Sequence, residues 1–480
     1  MTNRLFAALD RLDQRLTRHG RLLGALLAAL LAGALAAYNI ASGPLSNLND
    51  IGGWSNRALF IAMTACVHGA LLLVMTLLCR ERFSRLALRQ LILTAGMVIL
   101  LTAINQKTYA YVKGLQPLVR AMDEQGLAAA ANWETNLSAP AMTLLYLITR
   151  GPVYDMYLVK LACIGCYLLL AVLLMYAADS MGLFLRAEAL LTFAVILPQG
   201  FMNAACSAQL EIIAVCLLGV SLALAFGSGK RPTASALCYG AACALCGACL
   251  YALPVYVYLM RQGRMKGMHL GMIFALSAAL CLPAAVCGMP LGEAVFSPLR
   301  AILGTPAHAS GAPNIMSLIA RPLMEETPEY AQMLRHLPAL DAVANAQQDY
   351  TPAHYVVIAR GFAFAGLALY MGVCALVLKA KRMSAHERVL ALALAALLGC
   401  PGVSSGVWIA LDLLCLMAVF VWPKLRLPAC MLLFATAGAS CYPMTEETML
   451  PMAAAAILGV LALCMLLGII PMAKEAGNHE

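Results

Sequence analysis

Long apolar runs, each closed by a short polar or basic stretch, recur along the chain, beginning with "LLGALLAALLAGALAAYNIA" at 22–41. An apolar stretch of about 18 or more residues is long enough to cross the hydrocarbon of a bilayer as a helix. Such segments fall at roughly 22–41, 58–79, 88–106, 153–177, 186–200, 208–227, 233–246, 250–260, 268–287, 353–379, 387–400, 404–422, 428–441 and 449–471. The pattern predicts an all-α fold, a polytopic transmembrane helix bundle of about 12–14 hydrophobic segments, some too short to cross at full length. Two long loops, 107–152 and 289–352, interrupt the series. Within the first, Tyr111, Leu115, Leu118, Val119 and Met122 recur at helical spacing, with Lys113, Gln116 and Arg120 on other sides, which predicts a helix lying in the membrane interface.

Composition agrees with the pattern. Of 480 residues, 62% are hydrophobic and 11% charged, and the mean hydropathy is +0.83, against roughly 45–50% apolar and about 25% charged in a soluble domain. No soluble domain is expected. The first run is too long for the core of a signal peptide and reads as an anchoring span. Most of the 18 cysteines lie inside apolar runs, as in "CALCGACL" at 243–250, without histidines beside them, so they read as small packing residues. No aspartate-x-aspartate pair or histidine–acid cluster points to a bound metal.

Charge sets the expected sidedness. The net charge of +9 reflects arginine and lysine collected in short loops rather than an affinity for nucleic acid, because such residues concentrate on the cytoplasmic side. They gather in the N-terminal arm (Arg4, Arg11, Arg15, Arg18, Arg21), in "RERFSRLALR" at 80–89, and around Lys230, Arg261, Lys379 and Lys424. With these loops inside, both termini are cytoplasmic and both long loops external. Long loops on one face are where a site would be built.

One junction stands out on this topology. "PQGFMNAACSAQLE" at 198–211 packs Gln199, Asn203, Gln209 and Glu211 between two apolar runs, where an ionisable group is costly unless it meets water, protein or substrate. A local explanation also exists, since a carboxylate in the first turn of a helix is stabilised by the helix dipole by about 0.3–1 kcal/mol. The other candidate acids are Asp50, Asp123, Glu124, Glu134 and Asp155, and the scarce external cations are Lys107, Lys113, Arg120, Arg150 and Lys160. Each has a plainer reading as a solvated face, a turn residue or a side chain reaching to headgroups. Asp412, inside an apolar run, predicts a paired intramembrane role.

The stretch "PQGFMNAACSAQLEIIAVCLLGVSLAL", a basic loop, and "ASALCYGAACALCGACLYALPVYVYL" together resemble the GT-C integral membrane glycosyltransferases, in particular bacterial relatives of the GPI mannosyltransferases. "SAQLE" stands at the place of the family's W-G-Q-x-D, keeping Gln209 and an acid, Glu211. "ALP" at 252–254 stands at the end of its hairpin. Pro140, Leu158 and Lys160 keep step with the family's preceding span, and "CPGVSSGVWIALDLL" is similar to its P-x-M-H-E-R-Y segment, with Asp412 as the following aspartate. The resemblance covers roughly 88–445, leaving 1–87 as a cytoplasmic arm with two added helices and 446–480 as a last helix and short tail.

The resemblance implies a GT-C-like bundle in a bacterial cytoplasmic membrane. It would transfer mannose or another hexose from a polyprenyl-phosphate donor to an envelope glycan, lipid or protein, with no cofactor identified. It implies Glu211, Asp50 and Asp123 as catalytic acids, and Gln209, Asn203, Lys107, Lys113, Arg120, Arg150, Lys160 and Asp412 around the substrates. Three departures keep alternatives open, the first being that Cys246 or a neighbour stands where the family has a basic residue in the hairpin turn. No acid lies between Lys107 and Asp123, where the family's first-loop aspartate falls near Ala110, and the H-E-R-Y place reads Ser404, Ser405, Gly406 and Val407. "HERV" at 386–389 lies beside a basic loop on the predicted inner side. A non-catalytic scaffold that binds lipid-linked glycan, or a transporter or flippase, remain alternative readings.

Overall fold

The structure, a computed structural model, describes residues 13–16, 19–41, 54–79, 82–106, 115–127, 137–151, 153, 155–226, 231–303, 353–380, 383–445 and 450–469. It is 87% helical and, among the described residues, contains no strand. Each of the fourteen apolar segments is helical over most of its length. In chain order the helices are α1 (Gly20–Ala41), α2 (Trp54–Leu78), α3 (Phe83–Thr102), α4 (Gln116–Gln125), α5 (Ala139–Thr149), α6 (Asp155–Ser180), α7 (Phe184–Ile196) and α8 (Glu211–Phe226). They continue with α9 (Pro232–Leu245), α10 (Leu253–Arg261), α11 (Gly267–Val286), α12 (Leu291–Leu303), α13 (Ala353–Lys379), α14 (Ala385–Gly399), α15 (Ser405–Val421), α16 (Arg426–Thr445) and α17 (Leu450–Leu466).

Among the described residues, five helices are long and apolar enough to cross a bilayer: Gly20–Ala41, Ser55–Leu78, Phe83–Thr102, Met156–Ser180 and Gly267–Val286. A sixth span is available if the pair Arg186–Ile196 and Pro198–Cys206, bent by 43°, counts as one. Others are short: α8 has 16 residues and α9 has 14, so at about 1.5 Å per residue neither reaches the roughly 30 Å of a hydrocarbon core. The chain is therefore a polytopic integral membrane protein whose helices include partial spans. Helix α4 forms inside the first long loop with Leu118, Val119 and Met122 buried and Arg120, Asp123 and Glu124 exposed, as the spacing predicts.

The chain divides into two units, Met1–Lys107 with Leu147–Cys216, and Thr108–Tyr146 with Leu217–Glu480. In the first, α1 packs on α2 and α3, α3 on α7, and α6 on α2 and α7. Apolar burial between helices is a weak force in lipid, so buried polar contacts and close packing carry more of the specificity. Gln90 on α3 donates through Nε2 to the Gly24 carbonyl (3.0 Å) and to Thr76 Oγ1 (2.9 Å), tying α1 and α2 to α3. His68 and Thr94 share a hydrogen bond of 2.9 Å between α2 and α3.

At one end of this unit the fully buried Arg89 makes a two-pronged contact with Asp179 on α6 (2.6 and 2.9 Å) and reaches Glu188 on α7 (3.0 Å). Helix α3 begins at Phe83, five residues before the apolar run suggests, so Arg89 lies in its second turn rather than at its first residues.

The second unit is organised around α9 and α11 and around the α14–α17 group. Gly240 lets α9 approach α11 closely: a Cβ there would lie 2.7 Å from the Ile273 carbonyl oxygen. Tyr239 stacks on Tyr256 with ring centres 3.9 Å apart, and Ser221 Oγ links Tyr256 to Ser235. Ser138, just before α5, donates to the carbonyls of Ala244 and Leu245. Tyr251 donates to the Pro401 carbonyl (2.8 Å), and Tyr370 on α13 donates to the Tyr251 carbonyl.

Candidate functional site

The junction at 198–211 is where the first unit departs most from regular helix. Pro198 has no N–H and its ring opposes the carbonyl four residues back, that of Ala194, so α7 ends at Ile196. Tyr167 on α6 donates its hydroxyl to that carbonyl. In a membrane, where a bare carbonyl is costly, this contact makes the break tolerable. Gly200 completes the arrangement: a side chain there would collide with the ring and hydroxyl of Tyr167.

The chain then winds as a π-helical turn, Phe201–Cys206, closed by Ser207 N–H donating to the Met202 carbonyl at 2.9 Å. Such turns are rare and are found most often at functional sites. Ala208 follows with φ of 54°, left-handed backbone that costs an L-residue with a side chain roughly 1–2 kcal/mol. Helix α8 restarts at Glu211.

The break packs against α6 and α3, and this gathers residues far apart in sequence. Gln199 and Asn203 are buried inside it, with 1% and 3% of their surfaces exposed. The Gln209 carbonyl accepts from Cys163 Sγ on α6 at 3.3 Å, one turn along from Lys160. Cys163 lies within electrostatic reach of both Glu211 and Lys160, and Cys206 also lies beside Lys160. Glu211, at the first turn of α8, keeps part of its surface exposed, and its carboxylate sits at the positive end of the helix dipole. Asn203 Nδ2 is buried and has no hydrogen-bond partner.

Of the residues singled out in the sequence, Asn203, Gln209, Glu211 and Lys160 thus meet at one place. Lys160, however, is fully buried and its ammonium donates to the carbonyls of Ala103 (3.4 Å), Ile104 (3.0 Å) and Gln106. It caps the C-terminal end of α3, where a cation meets the negative pole of the helix, and all three of its donors are used there. Arg150 is exposed beyond α5. Arg120 and Asp123 sit on the exposed face of α4, which belongs to the other unit. Asp50, Lys107 and Lys113 lie outside the described residues, as do Glu134 and the side chains of Asp155 and His386.

Asp412 is buried in the second unit with 1% exposure and meets Thr436 of α16. Two residues of the first unit escaped the sequence reading. Tyr167 had no local signal, being an aromatic in an apolar run. Arg89 had one: with acids so scarce, Asp179 and Glu188 at the ends of adjoining segments suggested a partner. Among the described residues no group of three or more histidine, cysteine or acid side chains is placed to hold a metal ion.

The fold and this broken span define the class, an all-α polytopic integral membrane protein with an interrupted helix lined by polar side chains. No protein-family model, curated protein or solved structure matches the chain.

Proposed function

We propose that the chain is a membrane glycosyltransferase that moves a hexose from a polyprenyl-phosphate donor to an envelope acceptor on the outer face of a bacterial cytoplasmic membrane. The observation that supports it is the interruption at 197–210, which brings a partly exposed carboxylate, Glu211, beside Gln209 and Asn203 in a bundle otherwise poor in acids. Irregular backbone at membrane depth is tolerated only where it is buried in protein or lines a cavity. Transfer from a phosphate leaving group needs an acid side chain to orient or deprotonate the acceptor hydroxyl, and cations or dipoles to stabilise the departing phosphate. In this reading Glu211 takes the first task. Arg150, in the same unit, is the candidate cation for the second, while Lys160 holds the end of α3.

A second reading, a non-catalytic scaffold that binds lipid-linked glycan, is favoured by one observation: most of the polar groups at the break face inward and are buried. Purified protein presented with polyprenyl-phosphate sugars separates the two. The enzyme reading expects transfer that falls by about 100-fold or more in Glu211→Gln, the scale of losing a positioned acid or base. Unchanged transfer in that variant removes Glu211 from the mechanism. Donor binding without transfer by the unaltered protein selects the scaffold.

A further inference from the structure

Helix α15 carries three buried polar atoms without a partner on one stripe: Ser404 Oγ at its N-cap position, Trp408 Nε1 and Asp412 Oδ2. Their spacing of four residues puts them on one face, spanning about 12 Å at 1.5 Å per residue. Trp408 and Asp412 are 3% and 1% exposed, whereas Ser404 is partly exposed. The stripe therefore runs from the surface inward to the carboxyl. Ser404 stands where a serine ordinarily caps the helix, yet its hydroxyl makes no cap bond.

Thr436 Oγ1 lies 2.5 Å from Asp412 Oδ1, 3.0 Å from the Leu432 carbonyl and 3.3 Å from that of Leu433. A threonine hydroxyl has one proton and two acceptor lone pairs. If Asp412 carries a proton, the carboxyl donates to Thr436 and Thr436 donates to Leu432, so both bonds are made. If Asp412 is ionised, one hydroxyl proton must serve both oxygens.

Among the described residues no cation forms an ion pair with Asp412. The titratable groups facing it are the thiols of Cys415 on its own helix and, through Cys415, Cys430 on α16. On the neighbouring α14, Glu387 is held by Ser384 and Arg388 by the Ala380 carbonyl. Ionised and unpaired, a carboxylate in such a place is expensive.

We propose that this stripe is a proton-binding site: a short file of water molecules along Ser404 and Trp408 that delivers protons to Asp412, which is held as a neutral carboxylic acid. A buried water needs two to four polar partners, and the stripe supplies an N–H donor, a carboxyl acceptor and a hydroxyl that can be either.

The test is infrared spectroscopy of the full chain in lipid nanodiscs at neutral pH. A carboxylic-acid C=O band is expected, lost in Asp412→Asn, shifting when the unaltered protein is moved into D2O, and exchanging about tenfold more slowly in Trp408→Phe, as for loss of one hydrogen-bonded water contact. If Asp412→Asn does not fold, Asp412→Glu in a chain made with isotope-labelled aspartate assigns the band instead, because only the Asp412 signal then leaves the labelled set. A chain with no aspartic-acid band overturns the proposal. So does a band that fails to shift in D2O, meaning a sealed carboxyl, or one whose exchange ignores Trp408.

Discussion

Ala208 and Tyr167 show how single residues carry the interrupted span. With φ of 54°, Ala208 holds a conformation that glycine adopts freely, so Ala208→Gly is expected to raise stability by about 0.5–1 kcal/mol, the relief of strain less the added freedom of the unfolded chain. Thermal unfolding in detergent measures it, and the same substitution loosens the turn that presents Glu211. Lys160→Met keeps the length of the side chain but strands the buried Ile104 carbonyl, whereas that of Ala103 keeps the Gln106 N–H (3.0 Å) and Gln106 is exposed to solvent. A loss of about 1–3 kcal/mol per buried group so stranded is the scale to expect. Gln209 and Glu211 were legible in the sequence because polar residues in an apolar context announce themselves. The role of Lys160 was not, since a lysine's partners depend on which helix end lies beside it.

At the scale of the helix, the break is a set of mutually dependent parts. Pro198 strips a partner from the Ala194 carbonyl and Tyr167 replaces it. Tyr167→Phe alone is expected to cost about 1 kcal/mol, since it leaves that carbonyl only the long contact from the Leu197 N–H (3.4 Å). Pro198→Ala restores an N–H and so removes part of the need for Tyr167. A double-mutant cycle between the two should show coupling above about 0.5 kcal/mol, and simple additivity would mean that the tyrosine does not support the break. The segment boundary near 200 was visible from Pro198. The π-helical turn that follows was not, because its extra residue per turn is selected by packing against α6 and α3 rather than by local propensity.

Across the first unit, Arg89 links α3 to Asp179 on α6 and Glu188 on α7. Arg89→Ala leaves two mostly buried acids unpaired and is expected to cost about 3 kcal/mol or more. Arg89→Lys should recover little of this, because a lysine cannot reproduce the two-pronged contact; recovery of full stability would show that charge alone matters. Sidedness is tested on the whole chain in intact cells. In a background without reactive thiols, Gln125→Cys at the end of α4 is expected to react with an impermeant thiol reagent from outside, and Gln262→Cys, in a basic loop after α10, only once the membrane is opened. The reverse labelling would overturn the sidedness expected for the first long loop and the basic loops.

Helices α5 and α12, inside the two expected loops, did not follow from the sequence. The order of the apolar helices and their bounds to within a few residues followed from the sequence alone, because hydrophobic length and helical spacing are local properties that the bilayer constrains strongly. So did the membrane class and the polar junction at 198–211. Which distant groups meet was decided by tertiary packing: Lys160 against the end of α3, Tyr167 against the freed carbonyl, Arg89 between two acids, and, in the second unit, Asp412 beside Thr436. In lipid the apolar surfaces of these helices are nearly interchangeable, so the pairing is set by a few hydrogen bonds and close glycine contacts between segments far apart in the chain.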